Sequence, residues 1–144
     1  MNEHEHELIL RKQENRVLFN KIQNKLSNFI KDHNKTSFFE HVNYGPEELK
    51  NHFEDCFRFY SPLFKMSWKN YGDWQVDHFA PRSHDTFQTG EEQVRISKCF
   101  AKENLRPLPS WYNNEKGSFY IKDKRYYSWN RIGPLTERSV YARS

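Results

Sequence analysis

The chain has few of the residues that build zinc clusters, disulfide frameworks and membrane spans. Its two cysteines, Cys56 and Cys99, are isolated and form no Cys-x-x-Cys pair, which argues against a zinc knuckle. Each lies among aromatic residues, so we expect buried free thiols in a reducing compartment. No apolar run is long enough to cross a bilayer, and the acidic start is unlike a signal peptide. We therefore expect a cytoplasmic protein without a membrane partner.

Long hydrophobic stretches are also lacking, and aromatic rings take their place. Mean hydropathy is −1.08, yet 17% of the residues are aromatic, and large rings can form a core from few side chains. The net charge of +4 favours an anionic partner, with nucleic acid first and an acidic membrane second. The length predicts one compact domain, in which a long helix in residues 1–36 packs on or extends a core formed by residues 37–144.

Glycine and proline are absent from residues 1–44, and the pattern there predicts one long helix over residues 6–32. Leu18, Ile22, Leu26 and Phe29 recur at helical spacing, and Val17 lies near the same face. Lysine and glutamine fill the opposite face. A helix that packs on the core is the preferred interpretation, and a helix that contacts DNA or dimerises is the alternative.

A second helix is predicted to begin at Gly45-Pro46, because proline suits the first helical position. The buried face of this helix is predicted from four residues with helical spacing: Leu49, Phe53, Cys56 and Phe57. His52 lies on a different face, so we expect it at the surface rather than in a metal site.

The remaining pattern predicts two strands and two further helices. A strand over residues 74–79 carries Asp77 and His78 near its end, and Pro81 stops it. A helix over residues 91–102 should bury Val94, Cys99 and Phe100. A second strand over residues 105–108 is then followed by a helix from residue 110 through residue 116, for which Ser110 is a suitable N-cap.

Five motifs in residues 45–117, about half of the chain, resemble those of HNH (ββα-metal) endonucleases, and the stretch is similar to small phage-type members. The motifs are E-E-L-K-x-H from Glu47, M-S-W-x-N-Y-G-x-W from Met66, D-H-x-x-P from Asp77, C-F-x-x-x-N-L-R-P-L from Cys99, and N-x-x-K-G from Asn113. The resemblance implies an α+β protein with a ββα-metal (His-Me finger) core and additional N-terminal helices. If the chain is encoded by a phage, its compartment would be the host cytoplasm.

The resemblance also implies an enzyme that hydrolyses DNA phosphodiester bonds with His78 as general base. Histidine suits that task because its ordinary pKa of about 6.5 leaves it mostly neutral at pH 7–8. Asp77 and Asn113 correspond to the metal ligands, and their hard oxygens suit Mg²⁺ or Mn²⁺. Asn104 corresponds to the residue that holds the intervening loop through side-chain to backbone hydrogen bonds. Asn114 stays an alternative ligand, although the Asn-x-x-Lys-Gly spacing favours Asn113.

Basic residues near these motifs are candidate phosphate contacts. They are Arg82, Arg106, Lys116, Lys122, Lys124 and Arg125. The last three lie in a tail, residues 118–144, where basic and aromatic side chains alternate and could hold a DNA backbone or pack on the core. DNA is the expected partner, and a homodimer or a place in a larger nuclease assembly is possible. A non-catalytic nucleic-acid-binding module and a toxin-type nuclease are the alternative functions.

Overall fold

The computed structural model describes residues 2–61 and 64–111, which form an α+β structure of helices and a small antiparallel sheet. In chain order its main elements are α1 (Glu3–Lys31), α2 (Pro46–Tyr60), β1 (Trp74–His78), α3 (Glu92–Cys99) and β2 (Leu105–Pro109). Four single-turn 3-10 helices lie in the connections: Ser37–Glu40, Trp68–Asn70, Asp85–Phe87 and Lys102–Asn104.

α1 begins where Asn2 caps it, since the Asn2 side chain accepts a hydrogen bond from the backbone N–H of Glu5 at 2.8 Å. The predicted long helix is confirmed, and it packs on the core through its second half. The buried side chains there are Phe19, Ile22, Leu26, Phe29 and Ile30. Val17 was expected near this face but is 68% exposed. Val17 is two residues from both Asn15 and Phe19, which are buried, so it lies on the opposite side of the helix.

α2 begins at the expected position, with Gly45 as its N-cap and Pro46 in the first turn. The Glu48 carboxylate accepts a hydrogen bond from the backbone N–H of Gly45 at 3.2 Å. The predicted buried face is confirmed, and Tyr60 extends it. Phe53 and Phe57 of this face contact the rings of Trp68 and Trp74, so aromatic packing joins α2 to the start of β1.

β1 and β2 pair antiparallel, with Asp77 opposite Arg106 and His78 opposite Leu105. The predicted strands are confirmed to within one residue at their ends. The two strands are neighbours in space although α3 separates them in sequence. The residues that connect them therefore leave and return at the same end of the sheet, next to His78.

Two prolines lie in β2, and the register explains why the strand tolerates them. The Phe79 N–H donates to the Asn104 carbonyl at 2.8 Å, just beyond the last paired residues. Because antiparallel ladders bond at every second pair, Pro107 and Pro109 fall where an N–H would point away from β1. The missing donors thus cost the sheet no ladder hydrogen bond.

α3 is shorter than predicted, spanning 8 residues. Ile96, Cys99 and Phe100 are buried, as three- and four-residue spacing requires, and the expectation for Cys99 and Phe100 is confirmed. The expectation that Val94 is buried is wrong, since it is 44% exposed. Val94 precedes Ile96 by two residues, which places it on the opposite side of the helix.

The buried side chains of α1, α2, α3 and both strands belong to one hydrophobic cluster. The described parts of the ranges 1–36 and 37–144 thus share a core. Residues 110 and 111 are helical directly after β2, whereas the rest of the helix predicted there and the tail lie outside the described residues. Within the described ranges, no helix has both the length and the apolar character needed to span a bilayer.

Candidate functional site

His78 lies at the end of β1, largely buried between the sheet and α3. Its Nδ1 is 3.0 Å from the backbone carbonyl oxygen of Cys99, and its ring meets the ring of Phe100 edge-on at 5.1 Å. A carbonyl oxygen can only accept a hydrogen bond, so Nδ1 must carry a proton. In the neutral ring, the lone pair is then on Nε2, which is the atom that can accept a proton from water.

Asn104 ties together the two ends of the connection between the strands. Its side-chain amide donates to the carbonyl oxygens of Cys99 at 2.9 Å and Ala80 at 3.2 Å. Its Oδ1 accepts from the backbone N–H of Ala80 at 2.8 Å. The expected side-chain to backbone hydrogen bonds are therefore present. The Cys99 carbonyl that Asn104 holds is the one that accepts from His78, so Asn104 fixes the group that orients the imidazole.

Asp77 is buried with Arg106, its cross-strand partner. The Nε of Arg106 donates to Oδ2 of Asp77 at 3.0 Å, and the two residues are 1% and 4% exposed. The guanidinium also lies over the Phe79 ring, 4.1 Å from its centroid. Because neighbouring side chains of a strand point to opposite faces of a sheet, Asp77 and His78 have different partners. The charge of Asp77 is compensated from within the fold.

Arg106 was expected to contact a phosphate, but it is buried in the fold. A guanidinium that is buried against Asp77 and Phe79 does not reach the backbone of DNA from this position. The second strand was predicted correctly, but its register with β1 was not. That register places Arg106 opposite Asp77. Arg82 lies where a surface contact is feasible, and its Nη1 donates to Oδ1 of Asn20 at 2.8 Å.

The two cysteines are buried free thiols, as expected. Burial raises the pKa of both Cys56 and Cys99 to about 12, so each carries its proton at neutral pH. The Sγ of Cys99 lies 3.8 Å from Nδ1 of His78. A protonated thiol is a weak nucleophile, so this pair lacks the thiolate that cysteine hydrolases use.

α1 contributes amide side chains to the site and to the loop beside it, which was not predicted from the sequence. Oε1 of Gln23 lies 2.6 Å from Nε2 of His78, and Asn20 holds Arg82 as described above. The Asn15 side chain donates to the backbone carbonyl of Phe87 at 2.8 Å. Gln23 and Asn15 are therefore hydrogen-bonded to other parts of the fold. Uncharged amides beside the apolar stripe of α1 are the signal that could have indicated a packed polar edge.

His52 was expected at the surface, and the structure places it elsewhere. It is partly buried, and its Nε2 lies 2.7 Å from the carbonyl oxygen of Leu105. Burial lowers its pKa, although the backbone carbonyl opposes that shift. The neutral imidazole thus anchors the first residue of β2 to α2.

The other predicted site residues lie outside the described part of the chain. They are Asn113, Asn114, Lys116, Lys122, Lys124 and Arg125. Among residues 2–61 and 64–111, no group of three or more His, Cys, Asp and Glu side chains is placed to hold a metal ion. The expected metal site has two protein ligands, Asp77 and Asn113. Asp77 is the only one of the two that is described, and asparagine is not among the four residue types in such a group.

Comparison with known proteins identifies one viral relative. The chain is 40% identical over 60 residues to an uncharacterized protein of Acanthamoeba polyphaga mimivirus. The match covers 41% of this chain and 25% of the length of that relative. No family model matches the chain, and no solved structure matches it.

Proposed function

We propose that this chain is a metal-dependent DNA endonuclease of the HNH type, which nicks one strand at a time with His78 as its general base. One observation carries the proposal. The backbone carbonyl of Cys99 accepts hydrogen bonds from both His78 and Asn104, the first two residue types of the motif. Residues far apart in sequence thus meet in the arrangement that a fixed, correctly protonated histidine requires.

His78 would take the proton of the attacking water on Nε2. The bond from its Nδ1–H to the Cys99 carbonyl keeps the tautomer in which Nε2 has the lone pair. When the imidazole becomes charged, that same carbonyl oxygen faces the new positive charge and stabilises it. Asn104 keeps the carbonyl in place, so the ring does not need to reorganise during proton transfer.

Asp77 and Asn113 are the proposed ligands of Mg²⁺ or Mn²⁺. Arg106 donates from Nε to Oδ2 of Asp77, but a carboxylate has two oxygens and about four acceptor positions, so its chemistry still fits a hard cation. When bound, such an ion would neutralise charge on the phosphate and stabilise the departing 3′-oxygen. Arg106 would keep the carboxylate of Asp77 oriented.

The order of the elements supports a ββα-metal core within this fold. β1 carries Asp77 and His78, β2 follows Asn104, and helical residues begin directly after β2. Arg82, in the loop after β1, is the proposed contact with a DNA phosphate among the described residues, and the net charge of +4 favours the same partner.

A non-catalytic nucleic-acid-binding module is the second candidate, and the buried Asp77–Arg106 pair favours it. In that alternative the carboxylate serves the fold, since an ion pair with almost no exposed surface can be purely structural. His78 would then be a core residue that bonds a carbonyl. The two candidates differ in one measurable property, which is turnover.

Nicking of supercoiled plasmid in Mg²⁺ tests the proposal. His78→Ala should lower the rate by roughly 10²–10⁴-fold, the usual contribution of a positioned proton acceptor, while DNA affinity stays close to that of the wild type. EDTA should stop the reaction. His84→Ala is a matched control, because His84 lies in the loop after β1 and outside the proposed site. Wild-type protein that binds DNA but does not nick it would establish the second candidate.

The same assay assigns the last metal ligand. Asn113→Ala should nearly abolish nicking, and Asn114→Ala should have a small effect, because the spacing to Lys116 favours Asn113. The reverse result would place the ligand one residue later.

A further inference from the structure

The side chain of Gln23, on α1, contacts Nε2 of His78, the nitrogen that would accept the proton of water in the proposed reaction. The 2.6 Å separation between the Gln23 amide and Nε2 is a hydrogen-bond distance. Because the Cys99 carbonyl requires a proton on Nδ1, two arrangements satisfy the contact. In the neutral ring, the amide NH₂ of Gln23 donates to the lone pair of Nε2; in the charged ring, Nε2–H donates to the amide oxygen. Neither arrangement leaves a lone pair on Nε2 for a water molecule.

We propose that Gln23 is an inhibitory cover on the general base, and that it must turn away before His78 can activate water. This inference rests on the proposed function. An imidazole nitrogen has one lone pair, directed in the plane of the ring, so an amide at this distance and a reacting water compete for the same position. The resting protein is thus closed at the atom on which hydrolysis depends.

The cover opens by movement of a side chain, while α1 itself stays in place. Ile22 and Leu26, on either side of Gln23 in sequence, are fully buried in the core and fix the helix backbone. Gln23 is only half-buried, and its side chain has several rotatable bonds. Turning the amide out breaks one hydrogen bond and leaves the packing of α1 intact.

Bound DNA supplies the driving force for opening. Asn20 lies one turn before Gln23 on α1 and accepts a hydrogen bond from Arg82. A phosphate oxygen is a stronger acceptor for a guanidinium than a neutral amide is, because the bond is then charge-assisted. Arg82 would therefore leave Asn20 for the DNA backbone, and the amides of Asn20 and Gln23 could then donate to phosphate oxygens beside it.

The nicking rates of Gln23→Ala and Gln13→Ala test the inference when they are measured at plasmid concentrations well below saturation, because the free energy of opening then contributes to the rate. Gln13 is a matched control, since it is an exposed glutamine on the same helix. Gln23→Ala should nick about 2- to 10-fold faster than the wild type, the factor that corresponds to the net loss of one hydrogen bond, and Gln13→Ala should equal the wild type. A slower or unchanged rate in Gln23→Ala would overturn the inference. Gln23→Met, which has a similar length and no amide, replaces the alanine variant if that variant does not fold.

A second measurement does not depend on turnover. Diethyl pyrocarbonate acylates unprotonated imidazole nitrogens, and mass spectrometry of the peptide that contains His78 gives the rate. Acylation of His78 should be faster in Gln23→Ala than in the wild type and in Gln13→Ala, because the cover is gone. Equal rates would show that Gln23 does not protect Nε2. If acylation rises while no variant nicks DNA, the cover exists and the nuclease proposal fails instead.

Discussion

Asp77 and His78 are neighbours in the chain but have different surroundings in the fold. The carboxylate of Asp77 is buried against Arg106, whereas His78 lies between a carbonyl of the connection and an amide of α1. The proposed site therefore depends on partners from α1, from the last residue of α3 and from β2. A substitution of any of these partners would disturb the site without touching the two residues themselves.

Arg106→Met tests whether the guanidinium serves the fold. Removing it leaves the Asp77 carboxylate buried without its charge partner, which should lower the free energy of unfolding by about 3–5 kcal/mol. Urea unfolding at pH 7 measures the change. Arg58→Met is a matched control, because Arg58 pairs with Asp55 on the exposed side of α2 and should cost less than about 1 kcal/mol.

The opposite outcome is equally informative. If Arg106→Met kept the stability of the wild type and bound DNA more weakly, Arg106 would be the phosphate contact that the sequence suggested. The pairing with Asp77 would then be a contact that DNA replaces.

Some of these residues could be predicted from sequence, and others could not. Asp77, His78 and Asn104 were singled out because they stand in short motifs that resemble those of a known family, and such motifs can be read from the sequence alone. Gln23 and Arg106 do not stand out, because their partners are far away in the chain. Only the packing angle of α1 and the register of the strands bring those contacts about.

At the scale of elements, α1 has an exposed first part that includes Leu10 and a packed part that begins at Asn15. Leu26→Ala should lower the free energy of unfolding by about 2–5 kcal/mol, because it removes a fully buried side chain and leaves a cavity. Leu10→Ala is the control on the same helix. Leu10 is 43% exposed, so its truncation should cost less than about 1 kcal/mol. Equal effects in urea unfolding would mean that α1 is packed along its whole length.

The elements differ in how well sequence predicts them. α1 and α2 were recognised because several turns of apolar spacing average out single exceptions, and β2 was recognised despite its prolines. α3 has only 8 residues, so one apolar residue, Val94, sufficed to mislead the assignment of its buried side. The single-turn helices in the connections carry too few residues for any period to be visible.

At the scale of the whole molecule, three histidines link stability to pH. Burial is the main cause that lowers the pKa of His33, His41 and His52 below 6.5. The folded protein therefore binds fewer protons than the unfolded chain once the pH falls below about 6.5, and folding stability decreases there. At about pH 7.5 and above, these three groups are mostly neutral in both states and contribute little slope.

The three histidines should thus leave the midpoint of urea unfolding unchanged between pH 7.5 and pH 8. They should lower the midpoint as the pH is decreased from about 6.5 to 5.5. His52→Gln should have a smaller fall, because it removes one of the shifted groups. His6→Gln, at the exposed start of α1, should keep the full dependence. A midpoint that rises on acidification would contradict the direction of the shifts.

The two prolines of β2 have a further consequence for how copies of the chain meet. A sheet edge recruits another strand through its outward N–H and carbonyl groups. Along the outer side of β2, Pro107 and Pro109 have no N–H to offer, and the outward carbonyl of Leu105 is already bonded to His52. An incoming strand would find few donors there, so this side of the sheet resists edge-to-edge aggregation even at high protein concentration.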